Sequence, residues 1–130
     1  MAWLHKRLVV GENMAYRVGV QAARYGLTGV AEYIFCGLAE RGHSSSLFQL
    51  GRLSECGMPG SPDCLSAALY YRQAAVLGYG PAQLRLGQMY AEGKGLMPDN
   101  EQAWYWLRQA ARQGLAATGE LWREEMMASV

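Results

Sequence analysis

Apolar positions in this chain recur with helical spacing, and no stretch alternates with period two for long enough to predict a strand. Residues 79–114 show this most clearly. Ala82, Leu86 and Tyr90 stand at i, i+4 and i+8, on one face of a helix. Pro81 suits its first turn, where a missing N–H has no partner to lose. Gly93 and Gly95 end it. A second helix opens at Asp99, an N-cap residue with Gln102 three places on in a capping-box pattern. Its apolar stripe is Ala103, Trp106, Leu107, Ala110 and Ala111. Arg112 in the last turn complements the helix dipole, and Gly114 closes the element.

The same pattern stands 36 residues earlier. Residues 43–78 and 79–114 align without a gap and share eleven identities: Leu50/Leu86, Gly51/Gly87, Gly57/Gly93, Pro62/Pro98, Asp63/Asp99, Ala67/Ala103, Arg72/Arg108, Gln73/Gln109, Ala74/Ala110, Ala75/Ala111 and Gly78/Gly114. Chance would supply about two or three at ordinary composition. An internal duplication follows. It predicts helices over 44–56 and 63–77. A weaker unit precedes these, with helices over 13–25 and 28–41. There Val18-Gly19 stands for Leu50-Gly51, but 32 residues away, which implies a connection about four residues shorter. Residues 2–10, before Gly11, resemble the end of a further second helix. Residues 117–129 predict a last helix, in which Arg123 replaces the internal glycine, as an end cap would.

The expected architecture is therefore all-α: one domain over 1–130, built of antiparallel helix pairs in units 13–42, 43–78 and 79–114. A partial helix at 2–10 and a capping helix at 117–129 flank them. Gly51 and Gly87 sit inside helices, where each costs about 1 kcal/mol against alanine. A closely approaching partner helix is the reason such glycines would be kept.

Composition narrows the function. Apolar residues make up 51% of the chain and charged residues 18%, enough for a core and too few charges for bulk disorder. The formal charge of +1 predicts no nucleic-acid partner. No apolar run approaches the roughly 20 residues of a membrane span or the 7–15 of a signal peptide core. The chain reads as cytoplasmic. Three cysteines, Cys36, Cys56 and Cys64, cannot all pair within it. The basic residues are ten Arg and two Lys.

The run Ala82, Leu86, Gly87, Tyr90, Gly93, Gly95, Leu96, Asp99, Ala103, Trp106, Ala110, Ala111, Gly114 resembles the Sel1-like repeat, with one extra residue between Leu96 and Asp99. Residues 43–78 follow it with Ser46 for the leading Ala, Ser54 for Tyr and Pro59 for the second Gly. The resemblance implies a fold like that of tetratricopeptide repeats, a right-handed solenoid or α-α superhelix of stacked pairs. It also implies an adaptor role in signalling, secretion, quality control or host interaction. The repeat positions Leu50, Gly51, Ala67, Ala75, Gly78, Leu86, Gly87, Tyr90, Ala103, Trp106, Ala111 and Gly114 are then structural.

Nothing in the sequence marks an enzyme. His5 and His43 lack a nearby acid and nucleophile, and read as solvent or capping residues. Gly93-Lys94-Gly95 lacks the spacing and preceding strand of a phosphate loop. No metal or cofactor is expected. Cys56 and Cys64 flank a turn, where a disulfide is geometrically possible, though a reducing compartment favours free thiols. Tyr70 and Trp106 share one repeat position and predict core packing. Trp104 and Tyr105 flank it and are expected on an outer face or against an adjoining unit.

The expected function is a non-enzymatic scaffold that binds a protein or peptide. In helix-pair solenoids the first helices line the concave surface. Their variable positions are Arg17, Val20 and Arg24; Gln49, Arg52 and Glu55; Arg85, Gln88 and Glu92. This Arg/Gln stripe with acids towards one rim suits a peptide with acidic and apolar residues, since guanidinium groups fork onto carboxylates. A solvated face is the plain alternative. The other functional reading is a self-assembling protein that forms homodimers through its ends, Trp3, Leu4 and Leu8 or Leu121, Trp122 and Met126.

Overall fold

The computed structural model describes residues 2–58 and 60–115, and the side chains from Gly11 onward. Among the described residues six helices follow one another: α1 (Ala2–Arg24), α2 (Thr28–Ala39), α3 (Ser44–Cys56), α4 (Cys64–Val76), α5 (Gly80–Glu92) and α6 (Asn100–Arg112). No strand occurs among the described residues. Each helix packs chiefly against its neighbours in sequence, α1 on α2, α2 on α3, and so on to α6. This is an all-α solenoid of helix pairs. The expected helix 117–129 lies outside the described residues, with Leu121, Trp122 and Met126.

The duplicated residues act in pairs, one device per unit. Gly57 and Gly93 take left-handed backbone at φ 75° and 70°, which turns the chain out of α3 and α5. A Cβ at either would strike the proline five residues on, Pro62 or Pro98. The N–H of Asp63 then donates to the carbonyl of Ser54 at 2.8 Å, and that of Asp99 to Tyr90 at 3.0 Å. Both aspartates cap the following helix through their carboxylates, Asp63 on the Ser66 N–H and Asp99 on those of Glu101 and Gln102. Glycine, proline and aspartate thus recur together because they build a single turn.

The internal glycines report helix contact. A Cβ at 51 would lie 2.5 Å from Tyr71 Cε1, at 87 2.7 Å from Leu107 Cγ, and at 19 2.7 Å from Phe35 Cε1. Gly51–Tyr71 and Gly87–Leu107 are each separated by twenty residues, but Gly19–Phe35 by sixteen. The four missing residues of the first connection are visible in that difference. Phe35, Tyr71 and Leu107 are all buried. They, more than Tyr70 and Trp106, carry the second helices onto the first. Tyr70 and Trp106 are partly buried and pack against the core from its edge.

Two expectations are corrected. The chain does not break at Gly11, so residues 2–10 are not a separate helix. Gly11 keeps helical backbone within the 23 residues of α1. A lone glycine weakens a helix without ending it unless the chain turns left-handed there. Ala111, expected at a packed position, is exposed. Its counterpart Ala75 is buried, with its carbonyl bonded by Gln83 of α5, and no described helix follows α6 to do the same. Gly78 and Gly114 end α4 and α6 at φ 89° and 82°, and Leu50, Ala67, Leu86, Tyr90 and Ala103 lie in the core.

Candidate functional site

The nine residues expected on the first-helix face fall into two groups. Arg17 and Arg24 lie seven residues apart on α1, hence on one side of it, and both are exposed, as is Arg52 on α3. None of the three takes part in a described ion pair. Glu92 is exposed at the end of α5. The other residues are engaged. Val20 is half-buried against the Phe35 and Leu50 cluster, so it belongs to packing more than to a free surface. Gln49 donates to the Tyr16 hydroxyl at 3.1 Å.

Glu55 is the hub of the second group. Its side chain, only 14% exposed, ion-pairs with Arg85 of α5 and with Lys94, the latter at 3.2 Å. Arg85 Nε donates to its second oxygen at 3.1 Å, and Tyr71 Oη donates to the same oxygen at 2.8 Å. Arg85 also reaches the Gln88 side-chain oxygen at 3.2 Å. One carboxylate therefore joins α3, α4, α5 and the turn after α5. Burial raises the Tyr71 phenol well above its ordinary range, an effect that the Arg52 charge partly opposes. Tyr71 stays a neutral donor.

The stripe is thus divided. Arg85 is ion-paired within the fold, whereas Arg17, Arg24 and Arg52 are exposed and take part in no described ion pair. The sequence reading placed Glu55 on a rim, and missed that it and Arg85 meet. Their spacing of thirty residues was the signal. It joins adjacent first helices but is not the repeat length, so alignment of equivalent positions did not pair them.

The side chains of His5, Trp3, Leu4 and Leu8 lie outside the described ones, and the remaining chemical candidates are accounted for locally. His43 caps α3, its Nδ1 accepting from the Ser46 N–H at 3.3 Å. Cys36, Cys56 and Cys64 are free thiols. Burial, aided by Glu32 and Glu40, raises the Cys36 thiol and makes it a poor nucleophile. Arg108 stacks 4.0 Å over the Trp104 ring, and Tyr105 meets Trp106 edge-on with centroids 5.0 Å apart. Among the described residues no three His, Cys, Asp or Glu side chains gather as a metal site would require. No described helix is long and apolar enough to cross a membrane.

Residues 44–79 and 80–115 match the Sel1 repeat family. A Sel1 repeat protein from Oxalobacter formigenes superposes with a TM-score of 0.73 at 23% identity, over 77% of this chain and 41% of its own. A protective antigen of uropathogenic Escherichia coli strains gives 0.72 at 31% identity, over 88% of this chain and 26% of its own. Cysteine rich protein B of Helicobacter pylori gives 0.65 at 22% identity, over 81% and 90%. The chain spans less than half the length of the first two. No curated protein matches it. Sel1 repeats serve in general as non-catalytic scaffolds for protein–protein interaction. The two matched repeats cover more than half of the sequence, and the chain belongs to the Sel1 repeat family.

Proposed function

We propose that this protein is an adaptor that binds an extended protein segment along the concave face lined by α1, α3 and α5. The segment carries acidic residues with apolar ones between them. The observation that carries this reading is the contrast among the arginines. Arg85 is held by Glu55, while Arg17, Arg24 and Arg52 are exposed with no described ion pair. Each of the three can fork onto a carboxylate. Glu92 at the far end opposes an acidic residue there and favours a basic one, so the face gives the bound segment a direction.

The test is selection of binders from a random peptide display library. Wild-type protein should enrich sequences rich in Asp and Glu. The variant Arg17→Glu/Arg24→Glu/Arg52→Glu should lose them with unchanged helicity and melting. Enrichment of the same acidic sequences by the triple variant would remove this face from consideration.

A further inference from the structure

The second helices carry a row of exposed apolar residues in repeat register. Tyr33 of α2, Leu69 of α4 and Tyr105 of α6 stand 36 residues apart and are 82%, 52% and 51% exposed. Each lies two places after a buried alanine (Ala31, Ala67, Ala103) and two before a buried anchor (Phe35, Tyr71, Leu107). Two residues turn a helix by about 200°, so all three point away from the core. Tyr70 of α4 packs against the cluster of Ala31 and Phe35, and Trp106 of α6 against that of Ala67 and Tyr71, which sets the three helices side by side.

On α4 the exposed stripe is longer. Leu65, Leu69, Arg72 and Val76 are all exposed, and their steps of 4, 3 and 4 are those of a coiled-coil seam. None of the four packs against a described core cluster. Charge changes sign across the row. The position of Val76 holds Glu40 at the end of α2 and Arg112 at the end of α6, both exposed and in no described ion pair. Arg41, beside Glu40, is turned to Glu12 at 3.7 Å. Glu32 adds a second acid to α2, which has no basic residue, and Arg108 a second base to α6. The apolar row therefore reads Tyr, Leu, Tyr in either direction, whereas its charge runs from acid to base.

We propose that this face binds a second copy of this chain about a two-fold axis that runs over α4, parallel to the helices. α4 then lies on the partner's α4, parallel and in register, and α2 lies on the partner's α6. Leu65, Leu69 and Val76 each meet their own counterpart. Tyr33 meets Tyr105 and Glu40 meets Arg112, each pair formed twice because the contact is isologous. Glu101, the one acid of α6, falls opposite the uncharged Gly29. The antiparallel arrangement is disfavoured, since it sets α2 on α2 and α6 on α6, acid on acid and base on base. Arg72 alone meets its like, and one polar residue in such a seam fixes register at a cost in stability. Helices of 13 residues reach about 20 Å and pack about 8–10 Å apart, so the face offers about 400–600 Å² a side, the size of a transient dimer. The proposal is independent of the peptide face on the first helices, which a dimer would present twice.

The experiment is sedimentation of the full chain over a hundredfold range of concentration. The average mass should rise from the monomer and level off at the dimer. Leu69→Glu should weaken association about tenfold or more with unchanged melting, and Leu65→Glu serves if Leu69→Glu melts early. Arg72→Gln should tighten the dimer. Glu40→Arg and Arg112→Glu should each weaken it, and their equimolar mixture should restore it, because the exchanged charges then face one another at both ends. A wild-type monomer at every concentration would overturn the proposal. So would a mass that climbs past the dimer, or a mixture no stronger than its components. Association unaffected by Leu69→Glu and Leu65→Glu would overturn it in favour of contact through the ends of the solenoid.

Discussion

Gly51 of α3 faces the ring of Tyr71 on α4 with no room for a methyl group between them. A Cβ at 51 would lie 2.5 Å from Cε1, and the ring cannot swing away because its hydroxyl is bonded to Glu55. Gly51→Ala should therefore destabilise the protein by about 1–3 kcal/mol, the usual cost of overpacking. Gly37, in α2, has nothing within 4 Å of its Cβ position. Gly37→Ala should stabilise by about 0.5–1 kcal/mol through helix propensity. Chemical denaturation of the two variants checks the opposite signs.

Much of this contact was legible in the sequence. A glycine inside an apolar helical pattern demanded a close neighbour, and the 32-residue spacing of Gly19 and Gly51 carried the shorter first connection. The partner residue was harder to read. Identity drew attention to alanines and to the aromatic pair Tyr70 and Trp106, while Phe35, Tyr71 and Leu107 share only bulk. The continuity of α1 through Gly11 was not legible, since the glycine there marks no turn. Charge on the candidate face was half legible. Composition named the arginines, but only three-dimensional proximity showed that Glu55 takes Arg85 out of play.

Glu55→Gln should separate these two groups. It leaves Arg85 and Lys94 without their carboxylate, at a cost of about 1–2 kcal/mol, moderated by the partial exposure of both cations. A double-mutant cycle with Arg85→Gln should give a coupling of about 1 kcal/mol. The freed Arg85 adds a cation to the face, so the same variant should bind an acidic peptide more tightly than the wild type.

The buried phenol of Tyr71 predicts an alkaline weakness. Its acidity is weaker in the fold than in the unfolded chain, where the group titrates near 10. The folded state therefore holds the proton longer. That contribution is intact below pH 10 and is lost as pH rises above it. Thermal melts between pH 8 and 11 should show a fall beginning near 10. Tyr71→Phe should be less stable at pH 8, having lost the bond to Glu55, and should fall less steeply.

Asp63 shows the opposite sign. Its bonds to the Ser66 N–H and hydroxyl lower its carboxyl, so the cap is intact above the ordinary carboxylate range and is lost as pH falls through the folded value. Asp63→Asn keeps a capping side chain without the charge. Amide protection at the start of α4, taken relative to the intrinsic exchange rate at each pH, should fall in acid for the wild type and not for the variant.

We propose that Arg17, Arg24 and Arg52, exposed on α1 and α3 with no described ion pair, recognise carboxylates, and a charge swap checks this. Take one acidic peptide selected by the wild type, and measure its affinity for wild type and for Arg52→Glu by fluorescence anisotropy. Repeat with the peptide's facing acid changed to Lys. Arg52→Glu should weaken binding of the acidic peptide at least tenfold, and the Lys peptide should restore binding to the variant alone. Equal affinity of both proteins for the acidic peptide would contradict it.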